Sequence, residues 1–167
     1  PFRGQIIDLA APWEELSVDE AFRRYAGVDL DESIAKGRFE EVLVEKVEPR
    51  LGVGRPTVLS AYPLACSGLS KPIAGRPNRV ERWEVYAAGL ELGNACSELI
   101  DPVEQLRRFL ASAALRAGEG REVYPMDQPF LDAMRGGIPP CAGVAIGVDR
   151  LVMLLTNAGD IDHVNAF

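Results

Sequence analysis

Three carboxylates and one amide stand at short, regular intervals in Glu84-Val85-Tyr86-Ala87-Ala88-Gly89-Leu90-Glu91-Leu92-Gly93-Asn94-Ala95-Cys96-Ser97-Glu98. With a hairpin turn at Ala88-Gly89, Tyr86 falls opposite Glu91 and Glu84 opposite Gly93. Glu84 and Glu91 are then diagonal neighbours on one face, within reach of each other's side chains. Two such carboxylates repel unless a proton or a cation separates them. Mg²⁺ takes oxygen ligands of this kind, usually together with substrate phosphates. Asn94, Cys96 and Glu98 follow with period two, and they join that face if Gly93 forms a bulge. The result would be a concave acidic surface suited to a cationic substrate. A solvated sheet face would carry the same pattern, and a register slip of one residue would separate the two glutamates.

A second segment, Gly143-Val144-Ala145-Ile146-Gly147-Val148-Asp149-Arg150-Leu151, places one cation among apolar residues at a strand-to-helix junction. Its small residues leave room for a ligand against the strand. A buried arginine needs an anionic or aromatic partner. Arg150 could meet a base and a phosphate, or pair with a carboxylate of the core.

The elements that must position these residues read as follows. Gln5 to Leu9 alternates like a short strand. Ser17-Val18-Asp19-Glu20 matches a capping box that opens a helix with Val18, Ala21, Phe22 and Tyr25 on one face, ending near Gly27. A second helix runs from Arg38 to Glu48, with Phe39, Val42, Leu43 and Val47 inward, and Pro49 ends it. Thr57 to Tyr62 is a strand closed by Pro63. Cys66 to Asn78 reads as a mobile loop, and Arg82 to Ala88 as a strand with one face on the core, Trp83 included. Asp101 caps a helix running to Ala117 with Val103, Leu106, Phe109 and Leu110 inward. Asp127 to Arg135 is a shorter helix, Gly143 to Val148 a strand, and Asp149 to Leu155 a helix stopped by Asn157 and Gly159. Consecutive strands mixed with packed helices indicate an α+β fold with a largely antiparallel sheet and flanking helices.

The 167 residues carry 18 Lys+Arg against 25 Asp+Glu, a net charge of −7 with one His. That acidity argues against a free-standing nucleic-acid binder, which needs clustered cations. Length points to one domain over 1–167. No run of about 18 apolar residues suggests a membrane span, and no signal-peptide pattern opens the chain. Cys66, Cys96 and Cys141 are scattered and form no C-x-x-C, so a disulfide framework or a structural zinc is not expected and a cytoplasmic setting fits. The chain opens on Pro1, as a piece of a longer product would.

Together the two chemistry-bearing segments resemble class II aminoacyl-tRNA synthetases of the lysyl type. Gly143 to Leu155 is similar to motif 3 of that class, and Arg82 to Leu99 to the lysine- and ATP-binding strands before it. The resemblance implies ATP and Mg²⁺ as cofactors. It implies Glu84 and Glu91 as metal- and ATP-binding residues, and Arg150 against adenine and the γ-phosphate. Asn94, Cys96, Glu98, Ala145 and Gly147 would line the lysine pocket, Glu98 meeting the side-chain ammonium. Cys96 stands where the family usually carries an aromatic residue. Nothing matches motif 1 or motif 2, so the resemblance implies the C-terminal part of a catalytic domain. It leaves open whether a homodimer forms without motif 1.

Ala145, Val144, Pro140-Cys141 and the ending Val164-Asn165-Ala166-Phe167 look more like the shortened paralogue that lysylates elongation factor P than like the tRNA-charging enzyme. The implied reaction, in an intact protein, is ATP-dependent activation of lysine or a lysine isomer to an adenylate, then transfer to elongation factor P or tRNA. The alternative is a catalytically incomplete module that binds an amino acid, a nucleotide or a partner protein. The chain alone, without the motif 2 arginine, is expected to be inactive. Of the remaining residues, Tyr62 and Pro63 resemble a segment bordering the amino-acid pocket. Lys71, Arg76 and Arg79 could anchor phosphates or be solvated, and His163 reads as a surface or capping residue.

Overall fold

The computed structural model describes residues 1–165; Ala166 and Phe167, part of the distinctive ending noted above, lie outside the described residues. Six strands form one sheet: β1 (Glu14–Ser17), β2 (Thr57–Pro63), β3 (Pro72–Ile73), β4 (Arg76–Ala87), β5 (Leu90–Ser97) and β6 (Ala142–Ile146). They run in the order β1-β2-β4-β5-β6, with β3 paired to β4. Among the described residues only the β1–β2 pairing is parallel. The α+β architecture with a mainly antiparallel sheet is as expected.

Three short helical segments cover one end of this sheet. Helix α1 (Val18–Ala21) continues as a wider π turn, Phe22–Ala26; α2 spans Leu30–Ala35; α3 (Phe39–Val42) continues as a second π turn, Leu43–Val47. The capping box forms at α1: the Glu20 amide donates to Ser17 Oγ, while Glu20 Oε2 accepts from the Ser17 amide at 2.8 Å. Two orphan amides at the helix start are thereby satisfied. The apolar stripes read from the sequence are buried: Val18, Ala21 and Phe22 from α1, and Phe39, Val42, Leu43 and Val47 from α3. They pack with Leu51, Leu59, Tyr62, Val80 and Tyr86 in one core. Phe22 stacks on Phe39, ring centroids 5.4 Å apart.

The remaining helices are α4 (Pro102–Gly118), α5 (Gln128–Arg135) and α6 (Val148–Thr156). Asp101 caps α4, accepting from the amides of Val103 and Glu104. Asp127 caps α5 through the Phe130 amide.

Several expectations need correction. Residues 5–9 form no strand; Glu14–Ser17 takes that place, because parallel pairing with β2 captures it. Helix α2 lies where the sequence pattern assigns no element, since six residues are too few to show a period. The expected loop at 66–78 contains β3 and the start of β4, folded into a tight hairpin despite its Gly and Pro content. On α4, Val103 and Leu110 point to solvent, Val103 being 76% exposed, and Gln105 and Arg108 are buried instead. Trp83 is not core; it is 39% exposed on the sheet face opposite the α1–α3 helices. The alternation placed Trp83 on the face opposite Glu84 correctly, but that face is only partly covered, Trp83 and Val144 being exposed on it while Ala95 is buried.

Candidate functional site

The β4–β5 hairpin turns where expected. Ala88 (φ 52°) and Gly89 (φ 73°) both adopt left-handed backbone, the pattern that matches strand twist in a two-residue hairpin. Tyr86 pairs with Glu91 and Ala87 with Leu90. The register then shifts, leaving Leu92 as an extra residue, so that Val85 pairs with Gly93 and Glu84 with Asn94 rather than with Gly93. The bulge sits one residue before the expected position. Its consequence is the one the chemistry required: Arg82, Glu84, Tyr86, Glu91, Asn94 and Cys96 all share the face that carries the core.

Strand β6 extends that face. Asn94 pairs with Ala145 and Cys96 with Gly143. A Cβ on Gly143 would lie 3.0 Å from Glu98 Oε1. The absent side chain therefore makes the space that the Glu98 carboxylate fills. Glu98 is half-buried, and its amide donates to the Cys141 carbonyl at 3.0 Å. Its carboxylate has no hydrogen-bond or ion-pair partner among the described residues.

Glu84 is in the opposite situation. It is only 6% exposed, and both of its oxygens already accept hydrogen bonds, Oε1 from a single donor. Arg82 Nη2 donates to Oε1 at 2.6 Å, and the hydroxyls of Tyr62 and Tyr86 both donate to Oε2. The Arg82 guanidinium also stacks over the Tyr62 ring at 4.7 Å, a favourable placement for a partly desolvated cation. Burial and the neighbouring carboxylate push both tyrosines far above the ordinary phenol range, so they stay protonated donors.

Glu48, at the foot of α3, adds a third carboxylate that the sequence reading passed over. Its Oε1 lies 3.2 Å from the Tyr86 hydroxyl. One hydroxyl proton serves one acceptor at a time, and the shorter contact is to Glu84. Burial pushes the Glu48 carboxyl above its ordinary value, the Tyr86 hydroxyl opposes this, and the charges of Glu84 and Glu91 add to it. A protonated Glu48 can donate to the Tyr86 oxygen and complete the chain. The only sequence signal was its place directly after the buried Val47, which marks a helix end and not a site.

Arg150, in the first turn of α6, is not buried. It bonds back to β5: its Nη1 donates to the Glu91 carbonyl and to Glu91 Oε2, each at 3.0 Å. Asn94 Nδ2 contacts Glu91 Oε1 at 3.4 Å. The structure thus brings together Glu84 of β4, Glu91, Asn94 and Cys96 of β5, Glu98 just after it, Ala145 of β6, and Gly147 and Arg150 at the start of α6. Glu84 and Glu91 nevertheless keep separate partners, and no group of three His, Cys, Asp or Glu among the described residues is arranged to hold a metal. The chemistry of the pair, two hard-oxygen carboxylates diagonal on one face, still suits Mg²⁺. Lys71 pairs with Glu81. Arg79 is buried against Asp19 and Asp31, and Arg76 also reaches Asp19, so those arginines fasten β4 to α1 and α2. His163 lies on an exposed turn at Ile161–His163.

A mixed sheet with a bulged carboxylate hairpin and a strand-to-helix arginine is the arrangement of a class II synthetase domain. The family model described as tRNA synthetases class II (D, K and N) matches residues 2–167, and the chain belongs to that family. Within it the similarity is to lysyl enzymes. The chain is 38% identical to the lysine–tRNA ligase of Moorella thermoacetica over 187 aligned positions, covering 99% of this chain and 38% of that protein. It is 35% identical to the lysine–tRNA ligase of Chloroflexus aurantiacus, with the same coverage. It is also 35% identical to that of Prochlorococcus marinus subsp. pastoris, covering 99% of this chain and 36% of the relative. The chain therefore spans little more than a third of the length of these relatives. No helix of the described residues is long and apolar enough to cross a membrane.

Proposed function

We propose that this chain supplies the lysine- and nucleotide-binding half-site of an enzyme that activates lysine, or a lysine isomer, with ATP. In that reaction the amino-acid carboxylate attacks the α-phosphorus of ATP. A carboxylate–phosphorus oxygen bond forms, the α–β phosphoanhydride bond breaks, and pyrophosphate leaves. The aminoacyl group then passes to an acceptor. No covalent enzyme intermediate is required, so catalysis is positioning and charge stabilisation.

The observation that carries this reading is Glu98, a half-buried carboxylate with space made for it by Gly143 and no partner among the described residues. A burial of that kind is costly without a counter-charge, and a substrate ammonium would supply one. Asn94 and Cys96 would line the path to it, with Ala145 and Gly147 on the facing strand. With Arg82 turned away from Glu84 and Arg150 from Glu91, these two carboxylates would hold Mg²⁺, which supplies charge neutralisation on the triphosphate when bound. Arg150, released from Glu91, would face the nucleotide. The acceptor we favour is elongation factor P rather than tRNA. Its support is Ala145, where lysyl-tRNA synthetases usually carry Gly, with Val144 and Pro140-Cys141. One methyl group can shift substrate choice by ~1–3 kcal/mol.

A second reading, a module that binds without activating, is favoured by one observation: Arg150 and Glu91 neutralise each other at 3.0 Å. Calorimetric titration of the chain with lysyl-sulfamoyl adenosine, a stable adenylate analogue, and with its norleucyl counterpart tests the main reading. The lysyl compound should bind more tightly, and Glu98→Gln should abolish that preference. Equal binding of the two compounds by the unaltered chain would refute the assignment of Glu98. Lysylation assays with elongation factor P and with tRNA, on a protein that also carries the remainder of the catalytic domain, separate the two acceptors.

A further inference from the structure

The most deeply buried residues of α4 are polar; of the expected stripe, Leu106 and Phe109 are half-buried and Val103 and Leu110 exposed. Gln105 is 1% and Arg108 9% exposed. Gln105 Oε1 and Arg108 Nη2 are buried with no hydrogen-bond partner. An arginine in that position is less favourable than an apolar residue unless it does something an apolar residue cannot. Its other contacts show what that is. Arg108 Nη1 donates to the carbonyls of Ser67 (3.4 Å), Gly68 (3.3 Å) and Ser70 (2.8 Å). Ser67 and Ser70 are themselves buried, so these carbonyls need donors from within the protein. Arg108 Nε is fixed in turn by Glu104 Oε1 at 2.8 Å. Arg107, then Arg108, hold the Glu104 carboxyl well below its usual range, at about 2.

The gripped turn lies directly against Glu98. The Lys71 amide donates to the Ser97 carbonyl, and the Leu99 amide to the Leu69 carbonyl, each at 2.8 Å. Ser70 and Glu98 form an antiparallel bridge. The backbone on both sides of Glu98 is therefore set by residues 67–71, and its own amide by Cys141.

We infer that Arg108 is a positioning residue for Glu98: by clamping the 67–70 turn it fixes the backbone that aims this carboxylate at a cationic side chain. The inference rests on the reading of Glu98 given under Proposed function. It adds a specificity-determining role to a residue whose hydrogen bonds go to Glu104 and the 67–70 carbonyls.

The test compares the unaltered chain with Arg108→Met, using lysyl-sulfamoyl adenosine and its norleucyl counterpart in calorimetric titrations. Arg108→Met should weaken the lysyl compound on the order of tenfold, the scale of one charge-assisted contact. It should leave the norleucyl compound unchanged. A loss that is equal for both compounds, or absent for both, overturns the inference. If the unaltered chain shows no lysyl preference, the reading of Glu98 falls instead, and the inference with it. Hydrogen exchange supplies an arm that needs no ligand. The amides of Lys71 and Leu99 should exchange faster in Arg108→Met while that of Leu59 in the core is unchanged; unaltered exchange at Lys71 and Leu99 also overturns the inference. Should Arg108→Met fail to fold, Glu104→Gln, which frees the guanidinium on one side, should produce the same selective loss at smaller size. Retention of the full lysyl preference in Glu104→Gln then counts against the clamp.

Discussion

The two ends of the sheet obey the same alternation and meet opposite fates. At the β1–β2 end, Leu59, Tyr62 and Tyr86 are sealed under α1–α3. At the β6 end all five strand residues are exposed, Val144 at 59%. The accessible area of the whole chain is 10136 Å², roughly 2,000 Å² above the scaling for a compact monomer of this mass. Alternation marks which side chains share a face. Whether a face is buried depends on what else folds over it. The candidate site lies on the seam, with Glu84 inside the sealed half and Glu91, Ala145 and Arg150 in the open half. That position explains why Glu84 accepts from three side chains of the protein while Glu98 is left for a ligand.

The sharpest way to break this comparison is to truncate one side chain in each half. Phe22→Ala removes a ring stacked on Phe39 in the sealed core and should cost about 3–5 kcal/mol. Ile146→Ala removes an exposed side chain and should cost no more than ~0.5 kcal/mol. Urea denaturation of both variants measures the difference. Similar losses would mean that the open end is sealed in solution.

The cysteines make the same comparison chemically. Burial pushes the Cys66 thiol up to about 11, whereas Cys141 is exposed on the approach to β6. The thiolate is the reactive form. Iodoacetamide near pH 8, followed by peptide mass analysis, should label Cys141 long before Cys66. The Cys66 rate should keep rising with pH up to about 11. Equal labelling would show that Cys66 is not held in the sealed half.

Glu48 probes the seam itself. Its folded value is raised from 4.5, mainly by burial. A raised carboxyl contributes stability that is complete below the ordinary value and is lost as pH rises through the folded value. Glu48→Gln keeps the hydrogen-bonding shape without the charge. Its melting temperature should match the parent near pH 4 and exceed it at pH 8. A variant less stable than the parent at pH 8 would mean that Glu48 serves as an ion there.

Much of this was legible from residue order, for local reasons. The Ser17 capping box, the α3 stripe, the Ala88-Gly89 turn and the caps at Asp101 and Asp127 each depend on neighbours within four residues. The shared carboxylate face was legible because a strand glycine signals a bulge. What escaped has longer-range causes. Glu14–Ser17 becomes a strand only by pairing with residues 57–60. Arg108 is buried because a turn some 40 residues earlier offers it three carbonyls. Trp83 looked like core because alternation carries no record of missing cover.

The smallest expected effect on stability lies at the open edge. Among the described residues strand β6 pairs with β5 alone, so its other edge offers unpaired backbone groups beside the exposed Val144 and Ile146. Unprotected edges of this kind invite strand addition, and a lysine there discourages it. Val144→Lys replaces an exposed side chain, so its effect on unfolding should stay within about ±0.5 kcal/mol. Val144 points to the Trp83 face, away from Glu98, so binding of lysyl-sulfamoyl adenosine should be unaffected. Sedimentation velocity across a concentration series should show less self-association than the parent chain. An equal degree of association in both would mean that the apolar surface meets its neighbour elsewhere, and that the open end is less available than its exposure implies.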